Sequence, residues 1–509
     1  MERLRIPAPE EETHHNCALV GIVLDSPAPL HNIIRNGLLA QQNRGQEAAG
    51  MVWSEDGQLQ LQKGLSLVTS VFPPNDKAAF SHLGIGHTRY STVNKENPEE
   101  ELKKSQPFIF KNGPIEFAIA HNGTVYFDYS LSEGEPDSDT YKVGKAISEG
   151  KGSFEQNAID ILSRVEGAYT FLFATPDGLY VARDPTGFRP CVIGELDNGL
   201  SGFVVASESI GLEKLGAHAR EFDRELARGE FIKIRPDGFD RLWKDPRRNE
   251  RQEAVCTFEH AYFAGHESFA YDNVTNDEVR GSLGRRLAER VMPEGDVVFG
   301  VPMSGLLYAE GVSKETGIPK EEGIHANRYE LKNFIKPLAP EERMEHTKYK
   351  YSFIPNKIRG RRIVLVDDSI VRGHTMQGII LKLFDLEAKE IHLLVGIPPI
   401  VAPCYWGIDF KHANELVYHE LMNDETRTGS FEERLAMSLV ADDKQLASRL
   451  RVSFQNLDDY VSIVKHVSYG TPLESSGGCF HCVSAIPPKG VSIPELHDVP
   501  VKTLFKASV

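Results

Sequence analysis

RRIVLVDDSIVRGHTM, residues 361–376, is the stretch that decides the fold of the second half of the chain. It opens on a nearly continuous apolar run ending in two acids, as expected of a strand buried on both faces of a parallel sheet. A turn and then a helical pattern, QGIILKLFDLEA (377–388), follow it. Similar runs stand on either side, DVVFGV (296–301) and EIHLLVGI (390–397). Strands alternating with helices predict a doubly wound α/β sheet whose ligand site lies beyond the strands' C-terminal ends. Asp367, Asp368, Ser369, Arg372, Gly373, His374 and Thr375 fall there. A loop that opens a helix offers unpaired N–H groups and the positive end of a dipole, which suits a phosphate. Arg372 adds a cation, Gly373 a close backbone approach and Thr375 a hydroxyl. The two aspartates repel phosphate, but they can hold ribose hydroxyls or a hydrated Mg²⁺. A second strand-to-helix turn is VPMSG (301–305), which carries Ser304.

Residues 17 to about 245 read differently. Short β-rich runs (CALVGIVL, AAGMVW, FAIAH, AYTFLFAT, GLYVAR and GFVVAS) are separated by Asp-Gly and Asn-Gly turns. Helical stretches near 31–42 and 140–165 predict sheets covered by helices. KDPRRNERQEA (244–254) reads as a linker, and residues 1–16 as an acidic leader. The expected organisation is therefore leader 1–16, first domain 17–245, second domain 255–470 and C-terminal tail 471–509. A chain of 509 residues has room for two or three domains, and 40% hydrophobic composition supplies more than one core. The net charge of −16 gives no support to a general nucleic-acid binder. No apolar run approaches the roughly 18 residues that span a bilayer, and the leader lacks a signal peptide's apolar stretch. A soluble cytoplasmic protein is expected.

The first half carries its own polar constellation. Cys17 opens CALVGIV, and QQNRGQEAAG (41–50), GIGHTRYST (84–92), AHNGTV (120–125) and PDSDT (136–140) follow. Singly, each has a plain structural reading: a buried small hydrophobe, an Asn-Gly turn, an arginine paired to a carboxylate. Together they resemble the class II glutamine amidotransferase domain, an N-terminal-nucleophile hydrolase built as an αββα sandwich. VDDSIVRGHT resembles the ribose-phosphate loop of type I phosphoribosyltransferases, and VPMSG falls where that fold keeps its pyrophosphate loop. Both halves in this order resemble the amidophosphoribosyltransferase family. ARDPTGFRP (182–190), ASES (206–209), FEHAYFAG (258–265), NRY (327–329) and PPIVAPCYWGID (398–409) match its pattern as well.

That resemblance implies a glutamine-dependent pentosyl transfer to phosphoribosyl pyrophosphate, the first step of purine synthesis. Cys17 would be the nucleophile, with Asn122 and Gly123 as donors to the oxyanion. Arg89 would hold the glutamine α-carboxylate, Asp139 its α-amine, and Arg44 would support the site beside the nucleophile. Asp367, Asp368 and Ser369 would hold the ribose, and Arg372, Gly373, His374 and Thr375 the 5′-phosphate. Ser304 and Lys332 would face the pyrophosphate, with Mg²⁺ at Ser304, Asp367 and Asp368. A thiol needs a base, and a free α-amine with a pKa near 8 lies two bonds from the cysteine side chain. The leader is therefore expected to be removed, leaving Cys17 first. The resemblance also implies purine-nucleotide feedback and a homo-oligomer, dimer or tetramer.

Six cysteines are present. One branch of the family holds a 4Fe–4S cluster, and its ligand positions match Cys256, Cys404, Cys479 and Cys482, the last two forming C-x-x-C. Four thiolates suit such a cluster; zinc more often takes two close pairs, and reduced bystanders are the plain alternative. Cys191 fits no ligand position and reads as core packing. Some accessory positions depart from the family: Ala18 for Gly, Asn43 for His, Met303 for an acid, and Lys332 and Asn333 for Arg and Thr. Lys keeps the charge of Arg but loses its fork. Two other readings share parts of this pattern. One is a sugar-isomerising or synthetase-type amidotransferase, against which VDDSIVRGHT stands. The other is a weakened or non-catalytic paralogue that senses phosphoribosyl pyrophosphate or purine nucleotides.

Overall fold

The computed structural model describes residues 17–75, 80–90, 97–218, 226–327 and 350–493, and divides the chain into two compact units. The leader and Lys332 lie outside the described residues.

The first unit runs to Cys256 and also takes in Tyr405–Asp409 and 487–493. Its strands are β1 (Ala18–Pro29), β2 (Ala48–Glu55), β3 (Gln58–Gly64), β4 (Phe80–Arg89), β5 (Phe108–Asn112), β6 (Ile115–Tyr126) and β7 (Glu166–Thr175). β8 (Gly178–Arg183), β9 (Val192–Leu196), β10 (Gly202–Ala206), β11 (Ala217–His218), β12 (Glu230–Arg235) and β13 (Gly238–Lys244) complete them. They form two sheets, ordered β11-β9-β10-β1-β4-β2-β3 and β13-β12-β8-β7-β6-β5. Strand alternation divides the side chains of each sheet between two cores. Leu19, Val23 and Ile85 meet Ala118, Ala120, Leu172 and Val181 between the sheets. Val20, Ile22 and Val204 turn outward against the helix Leu30–Ala40. Phe117, Ile119, Phe171 and Phe173 turn to the helices Asp139–Glu149 and Phe154–Leu162. The result is helix, sheet, sheet, helix, the αββα order read from the motifs. Each fully buried Leu, Ile or Phe contributes roughly 1.5–3 kcal/mol by its removal from water. The single helical stretch expected at 140–165 is two helices; Ser153 starts the second with a capping box closed by Gln156.

The second unit spans Thr257–Cys404 and Phe410–Ile486. Its parallel sheet is ordered Val297–Gly300, Arg362–Asp367, Glu390–Val395, Leu450–Phe454. A parallel bridge from Val298 to Lys320 adds the next chain segment on the other side of Val297–Gly300. The order is thus 2-1-3-4-5, and it reverses between Val297–Gly300 and Arg362–Asp367. Ile379 and Leu383 of the helix His374–Asp385 pack on one face with Phe299 and Leu365. On the other face a Cβ at Gly300 would lie 3.1 Å from Ala309, and one at Gly396 would lie 2.2 Å from the Tyr308 ring. Helices therefore cover both faces.

The units divide at Cys256, so the segment read as a linker, 244–254, folds with the first. Residues 471–486 of the expected tail fold with the second. The strand Leu450–Phe454 was not anticipated: LRVSF alternates polar and apolar residues and is short. β4, whose FSHLGIGHTR is rich in Gly and His, was not read as a strand either.

Candidate active sites

Cys17 stands immediately before β1 and is fully buried. Its backbone N–H donates to Asn122 Oδ1 at 3.2 Å, so β6 lies against Cys17. That bond uses the oxygen of the Asn122 amide. Its nitrogen, Nδ2, is buried with no partner among the described residues. Such a donor is costly unless something arrives to accept from it. Gly123 supplies a second donor by the geometry of its strand. On one edge of β6 the N–H of His121 donates to Gln106 Oε1 at 2.6 Å and that of Val125 to Asp139 Oδ2 at 3.1 Å. Alternation puts the Gly123 N–H on the same edge, between them, beyond the end of the pairing with β5. Only glycine fits: φ is +141°, and a Cβ would lie 2.0 Å from the Ala168 carbonyl oxygen.

Burial pushes the Cys17 thiol up to about 12, and the charges of Arg89 and Arg44 pull it down by less. The charge of Asp139 acts on the same thiol and raises it. Arg44 is fully buried; its Nε donates to the Cys17 carbonyl at 3.1 Å and its Nη1 meets Glu208 Oε1 at 2.8 Å. Arg44 therefore holds the backbone of Cys17. Glu208, within ASES, was not singled out; Gln41 Oε1 accepts its N–H at 2.8 Å and Asn43 Nδ2 donates to its carboxylate at 3.1 Å.

Arg89 ends β4 at 1% exposure, and its guanidinium is divided. Nη1 donates to the Glu101 carbonyl at 3.2 Å and meets the Glu101 carboxylate at 3.0 Å. Nε and Nη2, the two donors of one edge, are buried without partners among the described residues. An open guanidinium edge fits one carboxylate in bidentate fashion. Asp139 opens the helix Asp139–Glu149; it accepts from Val125 and from the Thr140 N–H at 2.7 Å. His121 Nδ1 lies 3.7 Å from its Oδ2.

In the second unit, Asp367 and Asp368 stand at the C-terminal end of a central strand, at the point where the sheet order reverses. Burial and their mutual repulsion raise Asp367 well above the usual carboxylate range. Burial raises Asp368 too, partly offset by hydrogen bonds from the Ser304 and Ser369 hydroxyls. Ser304 comes from the neighbouring VPMSG turn, which packs so close that a Cβ at Gly305 would lie 2.4 Å from the Val366 carbonyl oxygen. The two turns read separately in the sequence thus form one acidic, hydroxyl-rich rim. Lys350, not anticipated, faces both acids; burial lowers its pKa and the acids raise it by less. Gly373 has φ +79° and immediately precedes the helix His374–Asp385, while the Val371 carbonyl accepts the Val417 N–H at 2.9 Å and fixes the loop. Thr375 is exposed in that helix's first turn. Arg372 is ion-paired with Glu415, so its charge is shared before any phosphate arrives. Met303 is 63% exposed and brings no polar atom to the rim. Oxygen donors of this kind fit a hard cation such as Mg²⁺.

All six cysteines are thiols, none in a disulfide. Cys191 is fully buried between the sheets of the first unit. Within the second unit the Cys482 carbonyl accepts the N–H groups of Val401 (2.8 Å) and Ala402 (3.1 Å), close before Cys404. Thr257 Oγ1 donates to the Cys479 carbonyl at 2.8 Å, which leaves Cys256 one residue away along the chain. Four thiols on mutually bonded segments suit an iron–sulfur cluster chemically. Among the described residues, however, no group of three or more His, Cys, Asp or Glu is gathered closely enough to hold a metal ion. No helix among those residues is long and apolar enough to cross a membrane.

Comparison with known proteins shows the family. Over 419 residues the chain is 36% identical to the amidophosphoribosyltransferase of Archaeoglobus fulgidus, covering 79% of this chain and 87% of that one. The Synechococcus elongatus amidophosphoribosyltransferase is 34% identical over 403 residues, 75% and 78% of the two chains. The solved glutamine phosphoribosylpyrophosphate amidotransferase of B. subtilis, complexed with ADP and GMP, superposes with a TM-score of 0.75 at 29% identity, over 93% of this chain and 97% of that one. A structure of the allosteric regulatory enzyme of purine biosynthesis also gives 0.75, at 30% identity, over 93% and 96%. No family model matches the chain. With relatives above 30% identity along most of its length, the chain belongs to the amidophosphoribosyltransferase family.

Proposed function

We propose that this protein transfers the amide nitrogen of glutamine to phosphoribosyl pyrophosphate, forming 5-phosphoribosylamine, pyrophosphate and glutamate, the step that opens purine synthesis. The observation that carries the reading is the set of buried donors left open around Cys17: Arg89 Nε and Nη2, and Asn122 Nδ2. They match a glutamine that enters with its α-carboxylate on Arg89 and its side-chain carbonyl oxygen at Asn122 and Gly123. The Cys17 sulfur attacks the amide carbon, and the oxygen that gains charge is met by those two donors. The carbon–nitrogen bond then breaks, ammonia leaves with a proton from the protonated base, and water hydrolyses the thioester to glutamate. A thiol held near 12 is not a thiolate at neutral pH. The base is the α-amine of Cys17, which exists only after cleavage of the Asn16–Cys17 bond.

At the second site ammonia attacks C1 of the ribose and the C1–oxygen bond to pyrophosphate breaks; the new ammonium then gives up a proton. Asp367, Asp368 and Ser369 hold the ribose, while the 372–375 loop and its helix N-terminus hold the 5′-phosphate. Mg²⁺ at Asp367, Asp368 and Ser304 would neutralise the leaving pyrophosphate. Cys256, Cys404, Cys479 and Cys482 would hold a 4Fe–4S cluster as a structural staple. A cytoplasmic homo-oligomer under purine-nucleotide control completes the reading; the relative solved with ADP and GMP supports the last point.

Paired nitrogen sources test it. Cys17→Ala should abolish phosphoribosylamine formation from glutamine and retain formation from concentrated ammonia. Asp367→Ala with Asp368→Ala should abolish both. Wild-type protein that makes no phosphoribosylamine from either source would establish the sensor reading instead.

A further inference from the structure

Tyr405–Asp409 is a stretch of later sequence that folds with the first unit. It lies along β6. The Tyr126 hydroxyl donates to the Tyr405 carbonyl at 2.7 Å, anchoring the stretch near the end of that strand. The Trp406 ring stacks on Phe188 with centroids 4.8 Å apart and planes 13° from parallel. The Trp406 carbonyl accepts from two nitrogens of the fully buried Arg189, Nε at 3.1 Å and Nη2 at 2.5 Å. Gly407 comes next, at φ +108°. A Cβ there would lie 2.4 Å from Arg189 Nη2 and 3.3 Å from the carbonyl carbon of Gly123. Backbone thus stands on backbone at Gly123.

The other side of Gly123 is held by the same region. Gly123 pairs with Tyr169 on β7, and the Tyr169 N–H donates to Asp184 Oδ2 at 3.2 Å. Asp184 Oδ1 also caps the turn that leads to Phe188 and Arg189, accepting from Thr186 at 2.9 Å and Gly187 at 2.6 Å. Gly123, Tyr169, Asp184, the turn through Phe188 to Arg189, and Gly407 are thus linked in turn, by hydrogen bonds, by the chain and by close approach. Every member is buried or fixed by charge-assisted hydrogen bonds, so the glycine has little freedom to shift.

We propose that Tyr405, Trp406 and Gly407 are positioning residues for glutamine hydrolysis, fixing the strand that presents Asn122 and Gly123 to the forming oxyanion. The inference rests on the reading of those two residues as oxyanion donors. It assigns part of the glutaminase machinery to PPIVAPCYWGID, a motif that lies within the phosphoribosyltransferase half of the sequence.

The test is the split between kcat and KM. In Gly407→Ala the added methyl must displace Arg189 or β6. Loss of one well-placed oxyanion donor costs about 10²–10³-fold in kcat, so glutamine-dependent kcat should fall at least tenfold. KM for glutamine should stay within twofold, and so should ammonia-dependent synthesis and the rate of Cys17 alkylation by iodoacetamide. Tyr126→Phe, which removes one hydroxyl and no packing, should show a severalfold effect of the same kind and serves if Gly407→Ala does not fold. Equal loss of glutamine- and ammonia-dependent activity, an effect confined to KM, or no effect in Tyr126→Phe would overturn the proposal. The functional reading would survive any of these as long as Cys17→Ala still lost only glutamine-dependent synthesis.

Discussion

Arg89 shows how a single side chain can be half engaged and half open. Glu101 takes one nitrogen, and the opposite edge of the guanidinium stays open in the dark of the protein. Arg89→Lys keeps the charge but has no edge to offer. Its KM for glutamine should rise on the order of tenfold or more, from a lost charge-assisted bond of about 1.5–3 kcal/mol, with ammonia-dependent synthesis unchanged. Steady-state kinetics with the two nitrogen sources decides this. The motif GIGHTRYST pointed to Arg89, but nothing in PEEELKK pointed to Glu101, because only packing selects the one glutamate of that helix that is buried. Cys17 gives a pH prediction. Below pH 9 its thiol is neutral both folded and unfolded; above it the unfolded chain ionises first, so stability is lost between pH 9 and about 12. Cys17→Ala should lack that part of the alkaline slope in urea unfolding. Protein with residues 1–16 attached should react with iodoacetamide far more slowly at pH 7.5 than protein beginning at Cys17.

Among the elements, the strand Arg362–Asp367 was legible because both of its faces are buried, so its sequence is apolar nearly throughout. The turn after it was legible because Gly373 opens the helix His374–Asp385 at positive φ, where few residue types fit. β6 was only half legible. FAIAH marked the strand, but its free edge beside Gly123 depends on where β5 stops pairing, and that follows from tertiary structure. The helix break at Gly150–Ser153 was missed because apolar spacing continues across it. The acidic pair at the end of Arg362–Asp367 predicts a conflict between stability and function. Both carboxyls are raised by burial, so folding opposes their ionisation above the usual carboxylate pKa. Asp367→Asn removes the mutual repulsion and leaves Asp368 to balance Lys350. It should stabilise the protein by on the order of 1 kcal/mol at pH 7. The gain should shrink as pH falls and vanish at about pH 3, below the ordinary carboxylate value of 3.8, where Asp367 is protonated folded and unfolded alike. The same variant should lose binding of phosphoribosyl pyrophosphate in calorimetric titration; unfolding curves at the two pH values test the sign.

On the scale of the whole molecule, the chain path was the least legible feature. Composition announces two cores, and the motifs announce two chemistries, but no local signal says that Tyr405–Asp409 leaves one unit for the other. The cysteines lie on that same path. Cys404 immediately precedes the excursion, the Cys482 carbonyl is bonded just upstream of it, and Cys479 is tied to the residue after Cys256. A cluster ligated by these four thiolates would fasten segments that are far apart in sequence. Loop closure over such distances removes several kcal/mol of unfolded-chain entropy, on the order of 4 kcal/mol for about 100 residues. Protein prepared without oxygen should therefore be brown and contain about four irons per chain. Cys479→Ser should remove the iron, lower the thermal midpoint and expose the region after residue 470 to protease. Cys191→Ser, a change in the core between the sheets, should leave the iron in place. Metal analysis of the three proteins is decisive: one zinc per chain without iron would give the quartet to a different metal, and full iron retention in Cys479→Ser would remove that residue from the ligand set.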